Sequence, residues 1–335
     1  MDDSKKDVTQ WDVAREAGVS RTQVSNVLTG DTRFVSEKKR RKILEAIDKL
    51  GYHSNKSAQK LRLGIGEYVS NLFGMIVSGP EVFSSPFYSR LIASLHSAAY
   101  EKDCKISYIR FFEELQDTVL FNSLIHPHEI GGLILLDLTK PSAEDKNGII
   151  MEKIRTRMKN TVCVEWKNPQ FACAHFDKYK SGVVAVDHLW ARGYTGIGYI
   201  GPIDERLSGI RDAMAVNRIP LDGMIMTPAY TMTDGYRIAS DLFSNGTIPR
   251  SVICGSDEIA AGFISFLNRK NISIPETVAV MGMGNSEISN FTNPALTTMD
   301  IRESEIAQAA IDMLTGGPYD SNSIIPAQII PREST

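Results

Sequence analysis

Arg21, Thr22, Ser25 and Asn26 place a guanidinium, two hydroxyls and a carboxamide within six residues, on one side of a helical repeat. Such groups hydrogen-bond to base edges, and Arg21 can fork onto the two acceptors of a guanine. Chemistry of other kinds is poorly represented. His126-Pro127-His128 suggests a metal pair, but no third ligand follows at helical spacing, so a surface turn is the better account. There is no GxxxxGK[ST] phosphate loop. Gly196, Gly198 and Gly201 spell GxGxxG, yet the first two fall inside a strand-like run and no helix opens at the third. No catalytic set and no cofactor site is expected.

The polar quartet must be held by the segment 12–28, DVAREAGVSRTQVSNVL. Val13, Ala14 and Ala17 share one face of a first helix, and Gly18 supplies a turn in which φ can be positive. Ser20 is an N-cap for a second helix, Gln23 completes a capping box, and Val24, Val27 and Leu28 form its apolar stripe. A helix-turn-helix presents such a second helix to the major groove. An ordinary αα-hairpin with a solvated second face has the same spacing. Thr9 can cap the first helix, with Asp12 at its third position. Trp11 either touches a DNA backbone or packs on its own domain, and packing is slightly favoured. A third helix is expected between Ser36 and Gly51, with Ile43, Leu44, Ile47 and Leu50 as its apolar face. Lys38 to Lys42 crowd its first half as a solvated charge run, some of it within reach of phosphates.

Length and charge agree with a small module on a large body. The chain has 335 residues, enough for more than one domain. Residues 1–64 hold 14 Lys and Arg against 9 Asp and Glu, a net +5, while the remainder carries −8. That asymmetry suits a polyanion bound at one end, although it is small enough to arise by chance. Residues 1–8 fit a mobile polar tail, residues 1–10 hold no apolar core as a signal peptide would, and no apolar run approaches a membrane span. Cys104, Cys163, Cys173 and Cys254 are scattered, as in reduced buried thiols of a cytoplasmic protein.

Together with Val35-Ser36-Glu37, Arg40 to Leu50, Gly51-Tyr52, Asn55, Ala58 and Leu61, the opening stretch resembles the DNA-binding headpiece of the lactose-repressor (LacI/GalR) family of bacterial transcription regulators. The resemblance implies a headpiece over 1–54, a hinge helix and linker over 55–66, and an effector-binding and dimerisation body over 67–335. It implies DNA contacts from Arg21, Thr22, Gln23, Ser25, Asn26, Tyr52 and Asn55, with Leu61 as a wedge between base steps in the minor groove. Ser54 replaces the usual proline and Gln59 the usual arginine, which predicts a less rigid, less basic hinge. Asn26 replaces a frequent arginine, so the inner operator bases should differ from those common in the family.

Beyond residue 67, seven apolar runs (72–77, 105–109, 131–136, 161–166, 196–200, 251–255 and 277–282) alternate with helical periodicities. This predicts parallel sheets covered by helices on both faces. The fold class expected is therefore α/β: an all-α helix-turn-helix headpiece, then two Rossmann-like lobes of periplasmic-binding-protein type. The family topology implies one lobe of about 67–166 and 288–320 and a second of about 167–287 and 321–335. Further matches to the family are HLWARGY (188–194), RLSG (206–209), GSDEIAAG (255–262), IPETVAVMG (274–282) and PALTT (294–298). By resemblance, the effector candidates are Phe87, Tyr88, Glu165, Asp177, Arg206, Tyr230, Ser256, Asp257 and Asn285. Ser256 stands where the family has Asn and Gly284 where it has Asp, and the loop 201–206 is short, which disfavours a simple hexose. Arg206 leaves room for an anionic or larger ligand, whereas Arg302 fits a structural salt bridge better. The expected protein is a cytoplasmic regulator of the repressor type. It binds double-stranded operator DNA as a homodimer and responds to a sugar or sugar derivative. The alternatives are a soluble ligand-binding protein without DNA readout and a regulator controlled by a protein partner.

Overall fold

The computed structural model describes residues 8–28, 35–52, 71–127, 129–138, 148–221, 226–317 and 322–335. The hinge residues Asn55 and Leu61, with Ser54 and Gln59, lie outside the described residues, as does His128.

Three helices form the N-terminal module: α1 (Gln10–Ala17), α2 (Arg21–Leu28) and α3 (Glu37–Leu50). Their apolar faces meet in one core of Val13, Ala14, Ala17, Val24, Val27, Val35, Ile43, Ala46, Ile47 and Tyr52. Gly18 (φ 64°) and Gly51 (φ 62°) end α1 and α3 in the left-handed conformation, where a Cβ would be strained.

The body strands are β1 (Leu72–Val77), β2 (Lys105–Phe111), β3 (Gly132–Leu136), β4 (Thr161–Val164), β5 (Ala172–Phe176), β6 (Ile197–Ile200), β7 (Met226–Thr227), β8 (Ser251–Cys254), β9 (Ala279–Met281), β10 (Thr298–Asp300), β11 (Asn322–Ile325) and β12 (Gln328–Ile330). One sheet has the order β11-β5-β4-β3-β1-β2 and a second the order β7-β6-β8-β9. The pairs from β1 to β5, and all pairs of the second sheet, are parallel. β10 and β12 form a small antiparallel pair. All seven apolar runs read from the sequence are strands. β5, β7, β10, β11 and β12 carried no such run, because they are short or interrupted by polar residues.

The body divides into two compact units, one holding the N-terminal module, 71–85, 92–174 and 307–322, the other 86–91, 175–306 and 323–335. Compactness therefore sets boundaries at 174/175, 306/307 and 322/323, against the sequence expectation of 166/167, 287/288 and 320/321. In the second unit the strands are apolar on both faces. Val252, Cys254 and Val280 join one core cluster, while Ile253 and Met281 join the other. Side chains alternate across a strand, so a run buried on both faces needs helices on both.

Two pairs of helices supply that cover. α4 (Lys178–Ala191) crosses α5 (Glu205–Val216), and α6 (Met232–Ser244) crosses α7 (Asp257–Arg269). Each crossing is made by glycines. A Cβ on Gly182 would strike the Arg206 carbonyl, and one on Gly209 the Tyr179 carbonyl. A Cβ on Gly235 would strike the Ile259 carbonyl, and one on Gly262 the Met232 carbonyl. These glycines explain why RLSG and GSDEIAAG have the spacings they do: the glycine is the point where two backbones touch.

Candidate nucleic-acid interface and effector site

Two capped helix starts face each other in the N-terminal module. At α1, the Thr9 amide and hydroxyl donate to Asp12 Oδ2 at 2.9 and 2.7 Å, and the Asp12 amide returns a bond to Thr9 Oγ1 at 3.4 Å. At α2, the Gln23 amide donates to Ser20 Oγ and the Ser20 amide to Gln23 Oε1, both at 3.3 Å. This is the capping box expected from the sequence. It also commits the Gln23 side-chain oxygen to the cap. Arg21 and Thr22 are exposed, and Ser25 and Asn26 half-buried, beside the buried Val24 and Val27. Lys38, Lys39, Arg41 and Lys42 are exposed on α3.

Two residues behave otherwise than the sequence suggested. Tyr52, expected at the DNA, is 4% exposed and belongs to the headpiece core. Burial pushes its phenol up, against a hydrogen bond from Gln10 that lowers it. Trp11, for which packing is slightly favoured over a DNA-backbone contact, is 63% exposed and outside that core. The Arg21 guanidinium carbon lies 5.9 Å from its ring centroid.

The effector candidates fall in both units. Glu165, in the first unit, is 2% exposed, at the carboxyl end of β4, with φ 56°. In the second unit, Phe87 meets Tyr88 and Phe176 edge to face at 5.0 and 6.1 Å between centroids. Tyr230 is 69% exposed. Asp177 caps α4 by accepting from the Lys180 amide at 2.8 Å.

Arg206 is buried, and its fork is made on protein groups. Its Nε and Nη2 donate to the Asp204 carboxylate at 3.0 and 2.7 Å, and its Nη1 to the Gly255 carbonyl at 2.9 Å. Burial would lower its pKa, but the neighbouring Tyr199 and Asp204 outweigh that and hold it above the ordinary value. Burial would likewise raise Asp204, whose carboxyl the Arg206 hydrogen bonds hold below its usual range. Arg302 pairs with Glu305, as its expected structural role requires.

The candidates around the start of α7 are similarly committed. Ser256 caps the helix, its hydroxyl accepting from the Ile259 amide at 3.3 Å. Asp257 is fully buried and accepts from the Ser286 amide at 2.6 Å, the Ser286 hydroxyl at 3.1 Å and the Thr298 hydroxyl. Burial raises its pKa to about 6 despite those donors. Asn285 accepts from Arg332 at 2.9 Å and donates its amide to the Thr298 hydroxyl. Gly284, where the resemblance leads one to expect Asp, has φ 128°, and a Cβ there would lie 3.3 Å from Arg90 Nη2. Arg90 donates to the Gly284 carbonyl at 3.0 Å and to Glu303 at 2.7 Å. Asp204, Arg90 and Arg332 were not found by sequence reasoning. Asp204 left a local trace, an Asp two residues before Arg206 at a helix start; the other two act over long sequence separations.

Among the described residues no cluster of His, Cys, Asp and Glu could hold a metal, and no helix is long and apolar enough to cross a membrane.

Residues 9–55 match the family described as bacterial regulatory proteins, lacI family, and residues 186–335 a periplasmic binding protein-like domain. The ribose operon repressor of Escherichia coli K12 is 30% identical over 318 residues, covering 91% of this chain and 92% of its own. The NTD biosynthesis operon regulator NtdR of Bacillus subtilis is 27% identical over 97% of this chain and 98% of its own. The lac repressor dimer bound to operator and the anti-inducer ONPF shares the fold, with a TM-score of 0.68 at 23% identity over 98% of this chain and 99% of that one.

Proposed function

Because the chain belongs to the lacI family of bacterial regulatory proteins, DNA-binding transcription regulators rather than enzymes, we propose that it represses transcription as a homodimer on a pseudo-palindromic operator under control of a small-molecule effector. The observation that carries this is the capped α2, with Arg21 and Thr22 outward on a packed three-helix module. Each α2 enters a major groove, where Arg21, Thr22, Ser25 and Asn26 face base edges. The exposed lysines and arginines of α3 meet phosphates, which set orientation without reading sequence. Asn55 and Leu61 act in the hinge, in the central minor groove. The protein works in the cytoplasm, at the nucleoid.

The effector is a carbohydrate or derivative held in the second unit by Phe87, Tyr88 and Tyr230. An exposed tyrosine ring supports this, since aromatic faces offer a sugar ring a stacking platform. Arg206, Ser256, Asp257 and Asn285 brace the same unit through the bonds they make within the protein. The test is a melting-shift screen of the full chain against sugars, sugar phosphates, oligosaccharides, nucleobases and amino acids. A ligand at about 100 times its Kd adds about 2.7 kcal/mol. The expected result is a carbohydrate hit that Tyr230→Ala weakens. A hit confined to another class would overturn the effector assignment.

A further inference from the structure

We infer that Gln10 and Trp11, in the first turn of α1, are positioning residues that aim Arg21 and thereby set how strictly one base pair of each half-site is read. The inference rests on the base-reading role proposed for Arg21.

Arg21 is the first residue of α2, at the positive end of a helix whose first turn holds no acidic side chain. A cation is disfavoured there by the helix dipole. Arg21 also has a long, flexible stem, which would sample many rotamers if left alone. Two contacts from the other helix restrain it. Its Nε donates to Gln10 Oε1 at 3.2 Å, and its guanidinium lies over the Trp11 ring, 5.9 Å from the centroid. An arginine over an indole face is an attractive cation–π arrangement.

Gln10 is itself oriented. It hydrogen-bonds the Tyr52 phenol, and its amide oxygen accepts from Arg21. Tyr52 is anchored in the headpiece core, so the chain Tyr52–Gln10–Arg21 ties an exposed side chain to a buried one. With Nε occupied, the side-on edge of the guanidinium is closed, and the end-on edge made by Nη1 and Nη2 is the one left for a base. That edge carries the paired donors that match the O6 and N7 acceptors of guanine. Trp11 contributes nothing to the headpiece core, so its large exposed ring is accounted for by this stacking.

The test uses the full-length protein, a duplex it selects from a random pool, and every single-base-pair variant of that duplex. Arg21→Ala should reduce discrimination at one base pair per half-site by about ten-fold or more. Trp11→Ala and Gln10→Ala should each reduce discrimination at that same pair about three-fold or more, leaving other positions, affinity for random DNA and the melting temperature unchanged. Trp11→Phe should restore most of the loss, and Trp11→Ala should add nothing in an Arg21→Ala background. Unchanged discrimination in both Trp11→Ala and Gln10→Ala, or an equal loss at every position and on random DNA, would overturn the positioning role while leaving Arg21 as the reader. An Arg21→Ala variant that keeps full discrimination would remove the base-reading role and the positioning role together.

Discussion

The N-terminal module and the second body unit use glycine for opposite reasons. Gly18 and Gly51 have open space where a Cβ would go, but their φ angles of 64° and 62° favour glycine. Gly209 and Gly262 lie inside ordinary helices, and there a Cβ would strike a carbonyl of the crossing helix. In the first case the backbone angle selects the residue, in the second the neighbour does. A headpiece built from small helices on an alanine and valine core can keep normal helix spacing. A parallel sheet buried on both faces needs two helices close together on each side, and glycine brings them there.

The largest effect should come from Gly262→Ala. The atom it meets is the Met232 carbonyl carbon and oxygen, which cannot swing aside as a side chain could. Overpacking typically costs about 1–3 kcal/mol, and a backbone obstacle places this substitution at or above the upper end. Urea unfolding followed by body fluorescence should show it, and an unchanged midpoint would mean the crossing is looser than described. Asp257→Ala comes next. It leaves the buried Ser286 amide without its acceptor, at about 1–3 kcal/mol, while the Ser286 and Thr298 hydroxyls lose the same partner but are free to rotate. Gly18→Ala should cost about 1–2 kcal/mol through backbone strain alone. Hydrogen exchange should place its effect in α1 and α2 and leave α4 to α7 untouched, whereas Gly262→Ala should do the reverse.

The smallest effect is one of pH, and two groups of the second unit oppose each other in it. His188 accepts at Nδ1 from Arg192, which can only donate, so its Nε2 carries the proton given to the Thr335 hydroxyl. Burial, with Arg192 beside it, lowers its pKa from 6.5 to about 4. The unfolded chain binds this proton first, so stability is lost as pH falls from 6.5 toward 4. Asp257 is raised from 3.8 to about 6, so the folded chain binds its proton first and stability is lost as pH rises through that window. His188→Gln should flatten the acid-side loss in urea titrations between pH 4 and 7. A slope unchanged from the parent would contradict the assigned tautomer and burial.

Much of the fold was legible because its signals are local. The capping box at Ser20 and Gln23, the turn at Gly18 and the seven apolar strand runs depend on residues a few positions apart. β5 was not legible, since ACAHF has no apolar run long enough to stand out, and its burial comes from pairing with β4. The effector candidates were harder still. The sequence shows that Asp257 and Arg206 are polar and sit in familiar motifs. It does not show that Thr298, 41 positions away, and Gly255, 49 positions away, already take their hydrogen bonds. Tyr52 and Trp11 exchanged places for the same reason: whether an aromatic residue is buried depends on the third helix as much as on its own.

The most direct test of the account is selection of duplexes from a randomised pool by the full-length protein, followed by titration of the selected and random DNA over a range of salt. The account predicts a pseudo-palindromic site bound far more tightly than random sequence, with affinity falling steeply as salt rises because many phosphates are neutralised. Weak, salt-flat binding to every duplex, with no sequence enriched, would contradict it.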